Sequence, residues 1–152
     1  EIVNDTRRAV PERTSAIRLV VNSPFAETSE TFSKLLEITQ PQEVQLAAVH
    51  AAAAVNDPGV GPLIQAVKDF KPGLTRDNAM GALAYIGKDA VEAVPAIIGI
   101  LESGVGVSGA VKALAQFGPL AKEALPALRK AAEEDFMNAD LARDAISKIE
   151  GK

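Results

Sequence analysis

His50 is the only histidine of the chain, and it is the first residue to consider for acid–base chemistry because imidazole titrates near neutral pH. It lies beside a run of alanines on a predicted helix that we expect to be largely buried. A general base also needs a nucleophile and an orienting carboxylate, and no spacing in the sequence supplies them. We therefore interpret His50 as a structural residue, packed or exposed at a helix edge with a backbone partner. The sequence predicts no catalytic residue and no enzymatic activity.

Two other segments have compositions that are typical of ligand sites. Glu133-Glu134-Asp135 is the densest acidic run, and carboxylates are the ligands that calcium prefers, but such a run at a helix end is usually a solvated surface. The segment 104–109 is similar to a glycine-rich nucleotide loop. It follows a predicted helix instead of a strand, and it has no lysine after its last glycine. We predict no metal ion and no cofactor.

The composition is that of an ordinary globular domain. The 152 residues predict a single domain over 1–152, with 47% hydrophobic and 24% charged residues. Only 4% are aromatic, so the core must be built from closely packed Ala, Val, Leu and Ile. A formal net charge of −4 argues against binding to nucleic acid, and no apolar run is long enough for membrane insertion. The absence of cysteine excludes disulfides, thiolate zinc sites and covalent haem attachment within the chain.

Apolar residues recur at helical spacing along the chain. Thr75, Ser108 and Asn138 precede apolar runs and are predicted N-caps, while Gly87 and Gly118 are predicted to end helices. We predict helices near residues 11–21, 27–38, 42–55, 59–70, 76–86, 89–102, 107–117, 120–134 and 139–150.

An internal repeat organises these helices. A shift of 31 residues lays 87–96 on 118–127, with six of ten positions identical. Weaker copies lie at 16–24 and 50–64, where Asn22-Ser23-Pro24 and Asn56-Asp57-Pro58-Gly59 are predicted turns, and 141–149 reads as one more first helix without its partner. Four helix pairs and a closing helix predict a helical solenoid.

Pro95 and Pro126 fall inside the apolar pattern of the two clearest repeats. A proline at such a place removes one helical hydrogen bond and crowds the preceding turn. We therefore predict a short turn of helix at Asp89–Ala93 and at Leu120–Ala124, followed by a bend into the second helix of each pair.

The repeated motif resembles a known family. The run Ala-Leu-Ala-x-x-Gly, then Gly-x-x-Ala-x-Glu-Ala-Val/Leu-Pro-Ala, occurs at 82–96 and 113–127 and resembles the short HEAT-type repeats of bilin-lyase-like proteins. The resemblance covers roughly residues 42–150 and implies an all-α fold, a right-handed α-solenoid of about four and a half HEAT-like helix pairs. The family's Asp-x-x-Val-Arg at the start of a first helix is degenerate at 41–45 and lost at 104–108, which departs from its Asp–Arg ladder between repeats.

The same resemblance implies where a partner would bind. In the family geometry the second helices line the concave side, and their solvent-facing positions are candidates for partner binding: Gln65, Lys68, Asp69, Glu102, Lys130, Glu133 and Glu134. This row mixes charges and lacks the Trp, Tyr and Arg cluster typical of a binding hot spot. It is still the best candidate surface. The leading hypothesis is a non-catalytic protein-interaction or scaffold module.

The N-terminal half carries a second resemblance. Arg13-x-x-Ala16-Ile17-Arg18-Leu19, followed by Ser23-Pro24-Phe25 and the segment 40–49, is similar to the helical segment of planctomycete-type proteins that join a propeller, HEAT repeats and a c-type haem domain. It implies an alternative function, a helical spacer domain of an exported multidomain redox protein. The chain would then be part of a larger protein, and an exported or periplasmic location is favoured over the cytoplasm.

A bilin-lyase-like activity is a third, weaker alternative because a fold does not imply a function. We expect a monomer whose partner is another protein or a neighbouring domain of the same polypeptide.

Overall fold

The computed structural model describes residues 2–22, 25–55 and 57–151, and within these ranges it contains no strand. The number and order of the predicted helices are confirmed. The predicted turn residues Ser23, Pro24 and Asn56 lie outside the described residues. The described residues form nine α-helices: α1 Val10–Val20, α2 Phe25–Leu35, α3 Gln42–Val55, α4 Asp57–Asp69, α5 Leu74–Ile86, α6 Val94–Glu102, α7 Val107–Phe117, α8 Leu125–Glu134 and α9 Ala139–Glu150.

The helices stack as a solenoid of two layers. The first helices α1, α3, α5, α7 and α9 pack in chain order, each against the next, and the second helices α2, α4, α6 and α8 form the other layer. From α4 onward, each second helix packs closely against the first helix that follows it. The core lies between the layers and includes Ile17, Val49, Leu63, Leu83, Ile97, Leu114 and Leu128, all fully buried. The predicted α-solenoid is confirmed.

The predicted bends are also confirmed. Short 3₁₀ segments at Gly87–Ala93 and Gly118–Ala124 join α5 to α6 and α7 to α8, and each breaks helical geometry in its middle. Pro95 and Pro126 then lie in the first turn of α6 and α8, where a missing N–H costs little. The glycines that open the two segments have positive φ, 73° at Gly87 and 56° at Gly118, so each ends its helix as predicted.

Two of the three predicted N-caps are wrong. Thr75 and Ser108 lie inside α5 and α7, because Gly73 and Gly106 turn the chain into these helices with positive φ and occupy the N-cap positions. Asn138 does occupy the N-cap position of α9, but its side chain does not cap the helix. The predicted second helix near 27–38 ends earlier, at Leu35, and turns follow it.

Three buried polar side chains near the starts of α1, α3 and α5 tie neighbouring segments to the helices. Nε of Arg13 donates at 3.0 Å to the carbonyl of Val3, in the 3₁₀ segment Ile2–Asn4 before α1, and its Nη2 donates at 2.8 Å to Oε1 of Gln40, in the loop before α3. Nε2 of Gln45 donates to the carbonyl of Glu37 at 2.9 Å. Nη2 of Arg76 donates to the carbonyl of Val105 at 2.7 Å.

These bonds occur where the family has an Asp–Arg ladder. All three residues are less than a tenth exposed, and backbone carbonyls and the Gln40 amide oxygen accept from them instead of aspartates. Because a donor that loses its acceptor in the interior keeps its desolvation cost, each bond holds its loop in place.

Replacing Gly106 by alanine is expected to destabilise the fold more than replacing Gly104 by alanine. Both glycines have positive φ, 84° and 72°, so either substitution introduces backbone strain of about 1–2 kcal/mol. Only at Gly106 does the new Cβ overlap the Arg76 guanidinium, which disrupts its bond to Val105 and adds roughly 1–3 kcal/mol. Urea denaturation of both variants measures the free energy of unfolding. Equal losses would show that the Arg76 bond does not hold the loop.

Candidate functional site

The seven residues predicted for partner binding are all exposed on second helices. Three of them lie on α4, Glu102 is the last residue of α6, and the other three lie on the second half of α8. On α4, Nε2 of Gln65 donates to both carboxylate oxygens of Asp69 at 2.9 Å. The predicted row therefore divides into a group on α4 and a group at the ends of α6 and α8.

A groove between α6 and α8 brings three of the seven residues together. Glu102, Lys130 and Glu134 line it, and its volume is about 190 Å³. The remaining lining consists of Asp135, Gly104 and a set of apolar side chains: Leu101, Val107, Ala127 and Ala131. The groove thus has an apolar floor and a charged rim, and we call it the α6–α8 groove.

The charge of this rim is predominantly negative. Glu102 has no hydrogen-bond or ion-pair partner among the described residues. Nζ of Lys130 lies 3.8 Å from the carboxylate of Glu134, with both side chains about two-thirds exposed, so solvent screens this pair. Glu133 lies beside them, exposed, in the last turn of α8. One lysine therefore faces several carboxylates.

The acidic residues also lie at the unfavourable ends of their helices. The C-terminus of a helix carries a partial negative charge, which favours cations and disfavours carboxylates. Yet α6 ends in Glu102, α8 ends in Glu133 and Glu134, and neither helix has a basic residue in its last turn. The helix dipoles and the side chains therefore add to the same negative potential at the groove.

Sequence reasoning missed two residues next to the groove. Phe136 and Met137 are 94% and 88% exposed, which makes them the most exposed large apolar side chains of the described chain. They lie in the turn between α8 and α9. A carboxylate oxygen of Asp135 accepts from the backbone N–H of Met137 at 3.1 Å and of Asn138 at 3.2 Å. Two adjacent apolar residues in a predicted loop were the signal available in the sequence.

His50 is exposed at the edge of α3, one of its two predicted placements, and the rest of that helix is largely buried as expected. The expected backbone partner is absent among the described residues. Its side chain lies where two open grooves meet on either side of α3, with volumes of about 440 and 490 Å³. Asp77 and Tyr85 line the second groove, but no hydrogen bond joins either of them to His50. His50 therefore belongs to the exposed surface, and no described residue orients its imidazole as a general base would require.

The other two candidate segments are the glycine-rich stretch 104–109 and the acidic run Glu133-Glu134-Asp135. Residues 104–109 form the turn before α7 and its first turn, where Val105 accepts the bond from Arg76 and Gly106 leaves room for that side chain. Glu133-Glu134-Asp135 belongs to the rim of the α6–α8 groove and its adjoining turn.

Across residues 2–22, 25–55 and 57–151, no three potential metal ligands cluster together. In the same ranges no helix combines the length and apolarity that crossing a bilayer requires.

Replacing Glu102 by glutamine is expected to stabilise the fold by about 0.3–1 kcal/mol at low ionic strength, because it removes a carboxylate from a helix C-terminus. The matched variant Glu92→Gln removes an exposed carboxylate just before α6, where the helix dipole favours it, and is expected to destabilise by a similar amount. Urea denaturation at low salt and at about 1 M NaCl, where screening weakens both effects, measures them. A Glu102→Gln variant that is less stable than the unaltered chain would show that the Glu102 carboxylate does not destabilise the C-terminus of α6.

Comparison with known families gives one finding. Residues 108–134 match the family model described as PBS lyase HEAT-like repeat, and no curated protein sequence matches the chain significantly. The matched segment corresponds to α7, the bent 3₁₀ segment and α8, which together form one helix pair of the stack. The preceding pair carries the same motif and the same bend. The similarity to the helical segment of propeller proteins stays a prediction. Since the matched pair is one unit of a continuous stack, the chain is an α-solenoid that contains a HEAT-like repeat.

Proposed function

We propose that this solenoid is a non-catalytic protein-interaction module that binds its partner through the exposed surface of its second helices. The observation that carries the proposal is the α6–α8 groove, which joins an apolar floor to a charged rim. Protein interfaces have the same organisation, with an apolar centre surrounded by polar residues. The partner is another protein or a neighbouring domain of the same polypeptide, and the module acts as a monomer.

The construction of the fold supports this function. Each helix pair contacts only its neighbours, so stacking leaves long surfaces whose side chains are not needed for the core. The side chains of the α6–α8 rim are exposed, whereas the buried residues that support them, such as Leu101 and Val107, belong to the packed interior. A partner can therefore be accommodated there without unfolding any element.

The proposal assigns no chemistry to His50. Among the described residues nothing hydrogen-bonds to its imidazole, and a general base depends on such a partner for its orientation. The HEAT-like fold is generally found in proteins that bind other molecules, and function depends on the site grafted on a fold. A spacer role within an exported redox protein stays a prediction from the sequence.

Selection from a random peptide library against the folded chain tests which surface binds. We expect selected peptides to lose roughly tenfold or more in affinity for Ala131→Leu, in which the larger side chain fills the floor of the α6–α8 groove. The matched variant Ala54→Leu fills the groove between α1 and α3 on the first-helix layer and is expected to leave binding unchanged. Circular dichroism controls for folding.

The opposite outcome would contradict the proposal. Peptides that bind Ala131→Leu normally but not Ala54→Leu would place the binding surface on the first helices. A selection that yields no peptide whose affinity depends on Ala131 would also contradict the proposal.

A further inference from the structure

We propose that the segment bound in the α6–α8 groove is a basic, amphipathic stretch of a partner protein, whose apolar side chains contact the floor while its lysines or arginines bind the carboxylates at the helix ends. This inference rests on the proposed function and specifies the chemistry of the partner. The groove holds about 190 Å³, less than the roughly 300 Å³ at which small-molecule pockets begin. The groove is therefore too small to enclose a drug-sized molecule, and we infer an occupant that contacts it with only part of its surface, as a peptide segment does.

Charge complementarity gives the sign of the partner. Glu102, Glu134 and Asp135 line the groove, Glu133 lies beside it, and Lys130 is the cation among the lining residues. The carboxylate of Asp135 accepts from backbone and amide N–H groups, so its negative charge is not neutralised by these bonds. A cationic segment is steered toward such a surface, and an acidic one is repelled.

A comparison with the other helices shows what distinguishes these two ends. The last turns of α1, α2, α4 and α9 contain Arg18, Lys34, Lys68 and Lys148, the residues that favour a helix C-terminus. Although α4 and α9 also end in an acidic residue, a lysine in the same turn offsets it, whereas the last turns of α6 and α8 have acidic residues and no basic one.

The unfavourable charge at these two helix ends suits the binding of a cation. Most of the last carbonyls of α6 already accept from Ser103 and Gly104, and Nη2 of Arg143 donates to the carbonyl of Ala132 in α8 at 3.4 Å. A basic segment would therefore bind the carboxylates at these ends and neutralise charge that the helix dipoles disfavour.

The apolar part of the partner is inferred from the floor and from the adjoining turn. Phe136 and Met137 extend into solvent beside Asp135, which lines the groove. The carboxylate of Asp135 accepts from two backbone N–H groups of this turn, and such bonds restrict the backbone that carries both side chains. A restricted backbone lowers the entropic cost of binding.

Fluorescence anisotropy with a labelled probe tests the inference. The probe is an amidated peptide about three helical turns long, with lysine and leucine on opposite faces, and its acidic twin has glutamate in place of lysine. We expect the basic probe to bind the full chain, more weakly as salt rises from about 0.05 M to about 0.5 M, and the acidic twin not to bind.

Matched variants separate the groove from the overall charge of the chain. The double variant Glu102→Gln/Glu134→Gln is expected to weaken binding roughly tenfold or more. The control Glu92→Gln/Glu123→Gln removes the same charge from exposed positions in the 3₁₀ segments and is expected to change affinity by less than roughly twofold. Phe136→Ser is expected to weaken binding severalfold, whereas Leu19→Ser, at an exposed site on α1, is not.

Equal weakening by the two double variants would overturn the inference, because the probe would then be responding to net charge alone. Failure of the basic probe to bind the unaltered chain would do the same. Library peptides that depend on Ala131 but contain no basic residue would overturn this inference and leave the proposed function standing. Loss of that dependence on Ala131 would remove both.

Discussion

Close approach of backbones is the constraint on which the whole stack depends. At Gly59, the first turn of α4 lies against the carbonyl of Ala52 in α3, so that even a methyl group would overlap backbone atoms. Alanines fill the interior at Ala48, Ala79 and Ala110, each fully buried on a first helix. Because the core contains few aromatic side chains, stability must come from many short contacts at high density, and dispersion is effective only at contact distance.

Tight packing also determines where polar groups can lie. Helices this close leave no room for charged side chains between them, so charge moves to the loops and the outer faces. The buried polar side chains of the described residues are Arg13, Thr28, Gln45, Thr75 and Arg76. Arg13, Gln45 and Arg76 each donate to a backbone carbonyl outside their own helix, which offsets the cost of burying them.

The repeat and the positions of glycine and proline were sufficient to predict the order of the helices. Gly87 with Pro95 and Gly118 with Pro126 act through backbone geometry, which depends little on tertiary context. The N-cap predictions at Thr75 and Ser108 failed because a positive-φ glycine two residues earlier already sets the direction of the chain. The hydrogen bonds that hold the loops were not predicted, because a backbone carbonyl can accept from any donor and leaves no side-chain motif in the sequence. Gln45 can therefore donate such a bond at the position where the family has arginine.

The candidate site was only partly accessible from the sequence. The resemblance to HEAT-type repeats implied that Glu102, Lys130 and Glu134 are exposed, but their convergence on one groove depends on the distance between α6 and α8. The sequence left the placement of His50 open between packed and edge-exposed, because an alanine-rich neighbourhood does not distinguish an inner from an outer helix face. Phe136 and Met137 were missed because periodicity describes helices and says nothing about a turn fixed by an aspartate.

The acidic ends of α6 and α8 carry a cost in stability that the proposed function would offset. A lysine at 102 or 133 would suit the helix dipole, as Lys68 does on α4, and would add to the stability of the chain. Acidic residues also end α4 and α9, at Asp69 and Glu150, but a lysine in each of those last turns compensates for them. The last turns of α6 and α8 contain no basic residue, so on the proposed function a cation of the partner would supply that compensation when it binds.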